Sequence, residues 1–125
     1  MAKTILLVDD EDLLREGLRE ILELRSFNVL EAANGADALE QFALADKIDL
    51  VISDVVMPEM DGVDFIDHLR KSFPDVPILT MSGGSRVVSA RYGLDSALLS
   101  GANDTISKPF TSKQLLAKVD ELLNL

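Results

Sequence analysis

Three carboxylates, a hydroxyl and an amine each stand at the end of a short apolar run. Asp54 follows Leu50-Val51-Ile52-Ser53 and precedes the break at Met57-Pro58, while Asp9 and Asp10 follow Ile5-Leu6-Leu7-Val8. Ser82 comes at the end of the run in "PILTMSGG", and Lys108 ends the run in "TISKPF". Gathered on one rim, three acids raise one another's pKa and destabilise the fold unless a cation relieves them. Mg²⁺ suits that task, because it takes oxygen ligands, keeps several waters and commonly bridges protein carboxylates to a phosphate. A hydroxyl and an ammonium opposite the acids are what a transferred phosphoryl group requires: a hydrogen-bond donor and a compensating positive charge. Taken singly, the same residues are ambiguous. Asp9-Asp10-Glu11-Asp12 also fits a solvated turn with N-cap duty, and Lys108 also fits a surface lysine or a salt bridge to the acids. Pro109 fits an ordinary turn or a cis bond that aims the lysine inward.

The elements that position these residues alternate. Strands are expected at Ile5 to Val8, Asn28 to Glu31, Leu50 to Ser53, Ile78 to Met81 and Asp104 to Ser107. Helical periodicity joins Leu14, Leu18, Ile21 and Leu22, then Ala38, Leu39 and Phe42, then Phe65, Ile66, Leu69 and Phe73, and finally Leu115, Val119 and Leu122. Asp12 is expected to precede the first helix, Gly35 and Asp61 mark the starts of the second and third, and Thr111-Ser-Lys-Gln114 makes a capping box. A fourth helix, interrupted by Gly93, begins somewhere between Ser85 and Leu94. Five strands alternating with five helices imply an α/β fold, a doubly wound parallel sheet with helices on both faces. Ligands of such sheets collect at the carboxyl ends of the strands, where strand order reverses.

Composition narrows the classes. The 125 residues suit one domain with one core, and 47% hydrophobic against 27% charged residues is a folded, soluble balance. No cysteine is present, which removes disulfides and thiolate metal sites and permits a cytoplasmic location. The apolar runs are too short to span a bilayer, and no signal-peptide pattern follows Met1-Ala2-Lys3. A net charge of −10 argues against direct binding of nucleic acid or anionic membrane, both polyanions. His68, beside Asp67 and Arg70, reads as a solvated side chain, and Met57 and Met60 as fillers around Pro58.

The ordered set "LLVDDED", "DLVISDVVMPEMDG", "PILTMSGG" and "GANDTISKPF" resembles the receiver domain of bacterial two-component response regulators, over essentially the whole chain. The resemblance implies a (βα)5, flavodoxin-like fold with strand order 2-1-3-4-5, as one receiver domain over residues 1–125 with no output domain in this chain. It implies Asp54 as phosphoacceptor, with Asp10, Asp54 and the backbone carbonyl of Val56 as Mg²⁺ ligands and Asp9 assisting through water. Ser82 becomes the hydroxyl switch, and Lys108 the lysine that contacts the phosphoryl group. The donor is a sensor histidine kinase or phosphotransfer protein, and a downstream protein target reads the result through the face of the fourth helix, fifth strand and fifth helix. On this reading the protein is no enzyme in the metabolic sense. It is a signalling protein that catalyses only its own phosphorylation and dephosphorylation.

Departures from the family pattern refine the expectation. Thr105 stands where an aromatic switch residue is usual, three residues before Lys108, and the chain from Ser82 to Lys108 is a few residues longer than usual. Tyr92 lies in that surplus. Val56 and Gly84 offer no polar side chain to hold an attacking water. Two other classes compete: a receiver-like interaction module that is never phosphorylated, and a phosphatase of the haloacid dehalogenase type. The intact Asp9, Asp10, Asp54, Ser82 and Lys108 set speaks against the first, and Val56, where the second expects an acid, against the other.

Overall fold

The computed structural model describes residues 2–55, 62–83 and 101–125. In chain order the described elements are β1 (Thr4–Val8), α1 (Asp12–Leu24), β2 (Asn28–Ala32), α2 (Gly35–Leu44), β3 (Leu50–Asp54), α3 (Gly62–Ser72), β4 (Ile78–Gly83), β5 (Asp104–Lys108) and α4 (Ser112–Leu123). The start of the fourth helix, expected between Ser85 and Leu94, with Gly93, the residue Asp61 expected near the start of the third, and the methionines Met57 and Met60 lie outside the described residues. All strands pair in parallel in one sheet of order β2-β1-β3-β4-β5. Order reverses between β1 and β3, so the crevice at their carboxyl ends is the expected ligand site.

Each strand occupies its expected place and runs one or two residues further. That extension matters for the chemistry. Asp54 pairs in register with Met81, Ser82 with Ser107 and Gly83 with Lys108, so three of the five singled-out residues belong to the sheet itself. Residues carried on paired strands hold their positions better than residues on loops.

Side chains alternate across a strand, and the two faces of this sheet divide accordingly. Ile5, Leu7, Leu50, Ile52, Leu79, Met81 and Ile106 form one core with Leu18 and Leu22 of α1 and Leu115 and Val119 of α4. Leu6, Val8, Val51 and Ile78 form the other, under Ala38 of α2 and Phe65, Ile66 and Leu69 of α3. The strands are apolar on both faces because helices cover both.

Local signals account for the starts of two helices. The Asn34 side chain caps α2 by accepting from the Asp37 amide at 2.9 Å. Thr111 and Gln114 form the reciprocal capping box of α4, at 3.1 and 2.8 Å. Asp12 is a correction: it is the first helical residue of α1, not its cap, and Glu11 holds the cap position without a side-chain bond. The Asp12 carboxylate is drawn instead to Arg15 one turn on, at 2.8 Å.

At the amino-terminal rim of the sheet, Arg70 of α3 joins three chain segments. Its guanidinium donates to the carbonyls of Val76 at 2.6 Å and Gly101 at 2.9 Å, and to the Asn103 side-chain oxygen at 2.7 Å. Asn103 in turn accepts from the Ile78 amide at 2.8 Å, which aligns the starts of β4 and β5. Gly101 has φ +121°, and a Cβ there would lie 2.9 Å from Arg70 Cγ.

Two glycines therefore respond oppositely to alanine. Gly17, inside α1 with nothing within 4 Å of an added Cβ, becomes more stable as Gly17→Ala by about 1 kcal/mol. Gly101→Ala loses more than about 1 kcal/mol, because a positive φ and a close contact are both disturbed. Urea unfolding midpoints of the two variants, read with an unchanged slope, check both signs.

Candidate functional site

Asp9, immediately after β1, is fully buried; Asp54, the last residue of β3, is 7% exposed; Asp10 is exposed. Carboxylate oxygens of all three lie within 4.8 Å of one another. Lys108, the last residue of β5, reaches across β4 toward β3 and β1: its Nζ is 3.1 Å from Asp54 Oδ2 and 3.4 Å from Asp9 Oδ2. The Lys108-Pro109 peptide is cis, the second of the two forms open from the sequence. Three carboxylates face the single ammonium of Lys108 among the described residues.

Burial and the neighbouring charges together set the titration of Asp9 and Lys108. Burial pushes the Asp9 carboxyl above its ordinary range, and the nearby Asp54 charge adds to the push; the Glu11 amide, donating to Asp9 Oδ1 at 2.9 Å, and Lys108 act against it without cancelling it. Burial also disfavours the Lys108 ammonium, yet its pKa stands above the ordinary lysine value because Asp54 and Asp9 both attract the charge. One ammonium attracted by two buried carboxylates is held in its charged form.

Ser82 lies in β4 with 2% of its surface exposed. Its hydroxyl has no hydrogen-bond partner among the described residues. Leaving such a group unsatisfied costs about 1–3 kcal/mol, and buried polar atoms without partners are uncommon in folded proteins. Its neighbour Thr80, equally buried, donates to the Asp104 carbonyl at 3.4 Å.

The crevice suits a hard divalent cation. All its side-chain donors are carboxylate oxygens, and they converge closely. Asp10 and Asp54, with Asp9 behind them, are the residues that would hold Mg²⁺. Val56, whose carbonyl the family resemblance adds to the ligand set, lies outside the described residues, as do Gly84 and Tyr92.

Thr105 is half-buried on β5, and its amide donates to the Asp104 carboxylate at 2.8 Å. His68 is exposed, with Nδ1 2.9 Å from the Asp64 carbonyl, in keeping with the absence of an assigned role. Arg15 and Glu31 were not singled out by the sequence. Arg15 Nη1 donates to the Asp9 carbonyl at 2.5 Å, and its Nε to Glu31 at 3.0 Å. The spacing of Asp12 and Arg15, one helical turn, was the only local sign that this arginine is fixed.

A parallel, doubly wound sheet of order β2-β1-β3-β4-β5, with an acid crevice and a lysine at the carboxyl ends of its strands, defines a flavodoxin-like α/β domain. Within that class, the family model described as the response regulator receiver domain matches residues 5–120, and the chain belongs to that family. Over 123 residues it is 38% identical to the response regulator MprA of Mycobacterium ulcerans, which covers 98% of this chain and 51% of that protein. It is 43% identical over 121 residues to the sensor kinase CckA of Brucella abortus, covering 96% of this chain but 12% of the kinase. Among solved structures, the chemotaxis response regulator CheY4 of Vibrio cholerae aligns with a TM-score of 0.86 and 28% identity, covering 98% of this chain and all of that one. The chain thus spans about half the length of the curated regulator and a small part of the kinase. It is a receiver domain of two-component signal transduction, and among its described residues no helix is long and apolar enough to cross a membrane.

Linkage gives the sign of a test on Asp9. A carboxyl whose pKa is raised on folding contributes stability that is complete below its unfolded pKa, near 3.8, and lost as pH rises through the folded value. A neutral isostere escapes that loss. In EDTA at pH 7, Asp9→Asn melts higher than the wild type, and the difference shrinks as the pH approaches 3.8; thermal unfolding followed by circular dichroism across this range checks it.

Proposed function

We propose that this receiver domain is a phosphorylation-dependent switch that takes a phosphoryl group on Asp54 from a histidine kinase or phosphotransfer protein. The observation that carries the reading is the buried Ser82 hydroxyl, without a partner among the described residues, at the same rim as Asp54 and Lys108. A group hidden at a cost has a use if a partner arrives there. A phosphoryl group on Asp54 provides acceptor oxygens for Ser82 and a fresh negative charge for Lys108.

In the transfer, an Asp54 carboxylate oxygen attacks the phosphorus of a phosphohistidine. The new O–P bond forms an acyl phosphate as the P–N bond breaks, and the donor imidazole leaves with the electron pair. Lys108, already within 3.1 Å of Asp54, stabilises charge on the phosphoryl oxygens, and Ser82 donates a hydrogen bond to one of them. Asp10, Asp54 and the Val56 carbonyl would hold Mg²⁺ on this reading, with Asp9 assisting, and the ion would supply charge neutralisation for the transfer. The domain supplies positioning for its own phosphorylation and dephosphorylation and acts on no separate substrate.

The signal leaves through β5, α4 and the lengthened segment from Ser85 to Ser100, where a downstream protein docks. Thr105 carries no ring to swing inward, so the hydrogen bond made by Ser82 and the loop after β4 transmit the change. Thr105, Phe110, Gln114 and Lys118 line a groove between β5 and α4 that gives such a partner a place to bind. The same acidic charge that disfavours nucleic acid and membrane leaves proteins as the partners, in the cytoplasm.

Incubation with acetyl phosphate and Mg²⁺, followed by intact-mass measurement, yields one phosphoryl adduct in the wild type and none in Asp54→Asn. An unmodified wild type would favour the non-phosphorylated interaction module. Mg²⁺ titration gives weaker binding for Asp10→Ala than for the wild type; equal affinity would remove Asp10 from the ligand set.

The acyl phosphate is expected to decay slowly compared with fast-resetting chemotaxis-type receivers, because Val56 and Gly84 carry no polar side chain to position an attacking water. Introducing a polar side chain, as in Val56→Asn, speeds the decay. An unchanged rate constant in the same mass assay would show that water positioning is set elsewhere.

A further inference from the structure

Asp9 is tied at four atoms. Its amide donates to the Ala32 carbonyl at 3.1 Å, Oδ1 accepts from the Glu11 amide at 2.9 Å, and Oδ2 faces Lys108 at 3.4 Å. The fourth tie is the Asp9 carbonyl, which accepts from Arg15 Nη1 at 2.5 Å. This oxygen belongs to the peptide that links Asp9 to Asp10, so whatever fixes it also fixes the plane from which both acid side chains depart.

Arg15 is itself constrained. Its side chain is 15% exposed, Nη2 donates to Asp12 at 2.8 Å, and Nε donates to Glu31 at 3.0 Å. Asp12 is 83% exposed and contributes little restraint, as solvent-screened pairs do. Glu31, on the edge strand β2, is the firmer anchor: its second oxygen accepts from Arg19 Nη1 at 2.6 Å. A planar guanidinium held at several nitrogens has a fixed orientation, which an ammonium on a flexible stem lacks.

We propose that Arg15, oriented by Glu31, is a positioning residue for the cation crevice: through the Asp9 carbonyl it sets the peptide between Asp9 and Asp10, and with it the spacing of their carboxylates against Asp54. The inference rests on the reading of the crevice as a Mg²⁺ site. Partners one bond behind a metal ligand typically change metal affinity by about 10–100-fold when removed.

The sign separates positioning from plain electrostatics. Removing a positive charge beside an acid cluster tightens binding of a divalent cation if the arginine acts only through its charge. Removing a positioning residue loosens it. Arg15→Ala is therefore expected to bind Mg²⁺ roughly tenfold more weakly, Glu31→Gln to weaken it in the same direction to a smaller extent, and Arg15→Lys to recover part of the loss. Arg19→Ala, which removes a positive charge next to Glu31 and one of its two arginine partners but leaves the Arg15–Asp9 bond, weakens binding less than Arg15→Ala.

The test is Mg²⁺ titration by isothermal calorimetry on the full chain, paired with amide hydrogen exchange on the metal-free protein. Exchange at Asp9 and Glu11 quickens by about tenfold in Arg15→Ala while the amides of Leu6 and Leu7 keep their protection. Mg²⁺ binding that is unchanged or tighter in both Arg15→Ala and Glu31→Gln overturns the proposal, and so does unchanged exchange at Asp9 and Glu11. Should the wild type bind no Mg²⁺, the reading of the crevice fails, and exchange in the metal-free protein still decides what Arg15 does. If Arg15→Ala does not fold, Glu31→Gln, which retains the arginine, gives the same two readouts.

Discussion

The shared ammonium of Lys108 is the interaction on which the carboxyl-terminal rim depends. A parallel sheet with helices on both faces brings the ends of β1, β3 and β5 to one rim, and the acids there repel one another at short range. Lys108 spans that repulsion by touching Asp54 and Asp9 together. On the proposed reading, the acids beside it would hold a divalent ion, and Lys108 would stand beside Asp54 to stabilise the incoming phosphoryl group.

Much of this was legible in the sequence because it rests on short-range rules. Runs such as Ile5-Leu6-Leu7-Val8 and Leu50-Val51-Ile52 are too short for helices and apolar at every position, the mark of strands covered on both faces. The capping box at Thr111 and Gln114 was equally readable. Strand ends were less so, since the ladder carries Asp54, Ser82 and Lys108 inside it, and a polar residue gives no sign of whether its backbone is still paired.

Asp12 shows where local rules fail. Its type and place fit a helix cap, but capping was decided by competition: the Asp9 carboxylate takes the Glu11 amide, and Arg15 takes Asp12. The Arg15–Glu31 pair shows the same limit over a longer span. Sixteen residues separate the partners, and they meet only because β2 lies beside β1 under α1. Tertiary pairing of that kind leaves no periodicity to read. The orphaned Ser82 hydroxyl is illegible for a different reason, since an unmade bond is a property of the packed environment and not of the residue type.

The two rims of the sheet are fastened in different ways. The hydrogen-bond acceptors of Arg70 among the described residues are uncharged: the carbonyls of Phe73, Pro74, Val76 and Gly101, and the Asn103 amide. At the carboxyl-terminal rim the fastening is between ionised groups, Lys108 with Asp54 and Asp9. Acceptors without a titratable proton keep their bonds through changes of pH, whereas a charge network rearranges when a charge is added to it. The molecule therefore has a fixed end and an adjustable end, like a beam clamped at one support. A charge added at the carboxyl-terminal rim falls on bonds that depend on charge, whereas the Arg70 bonds at the opposite rim are made to neutral oxygens.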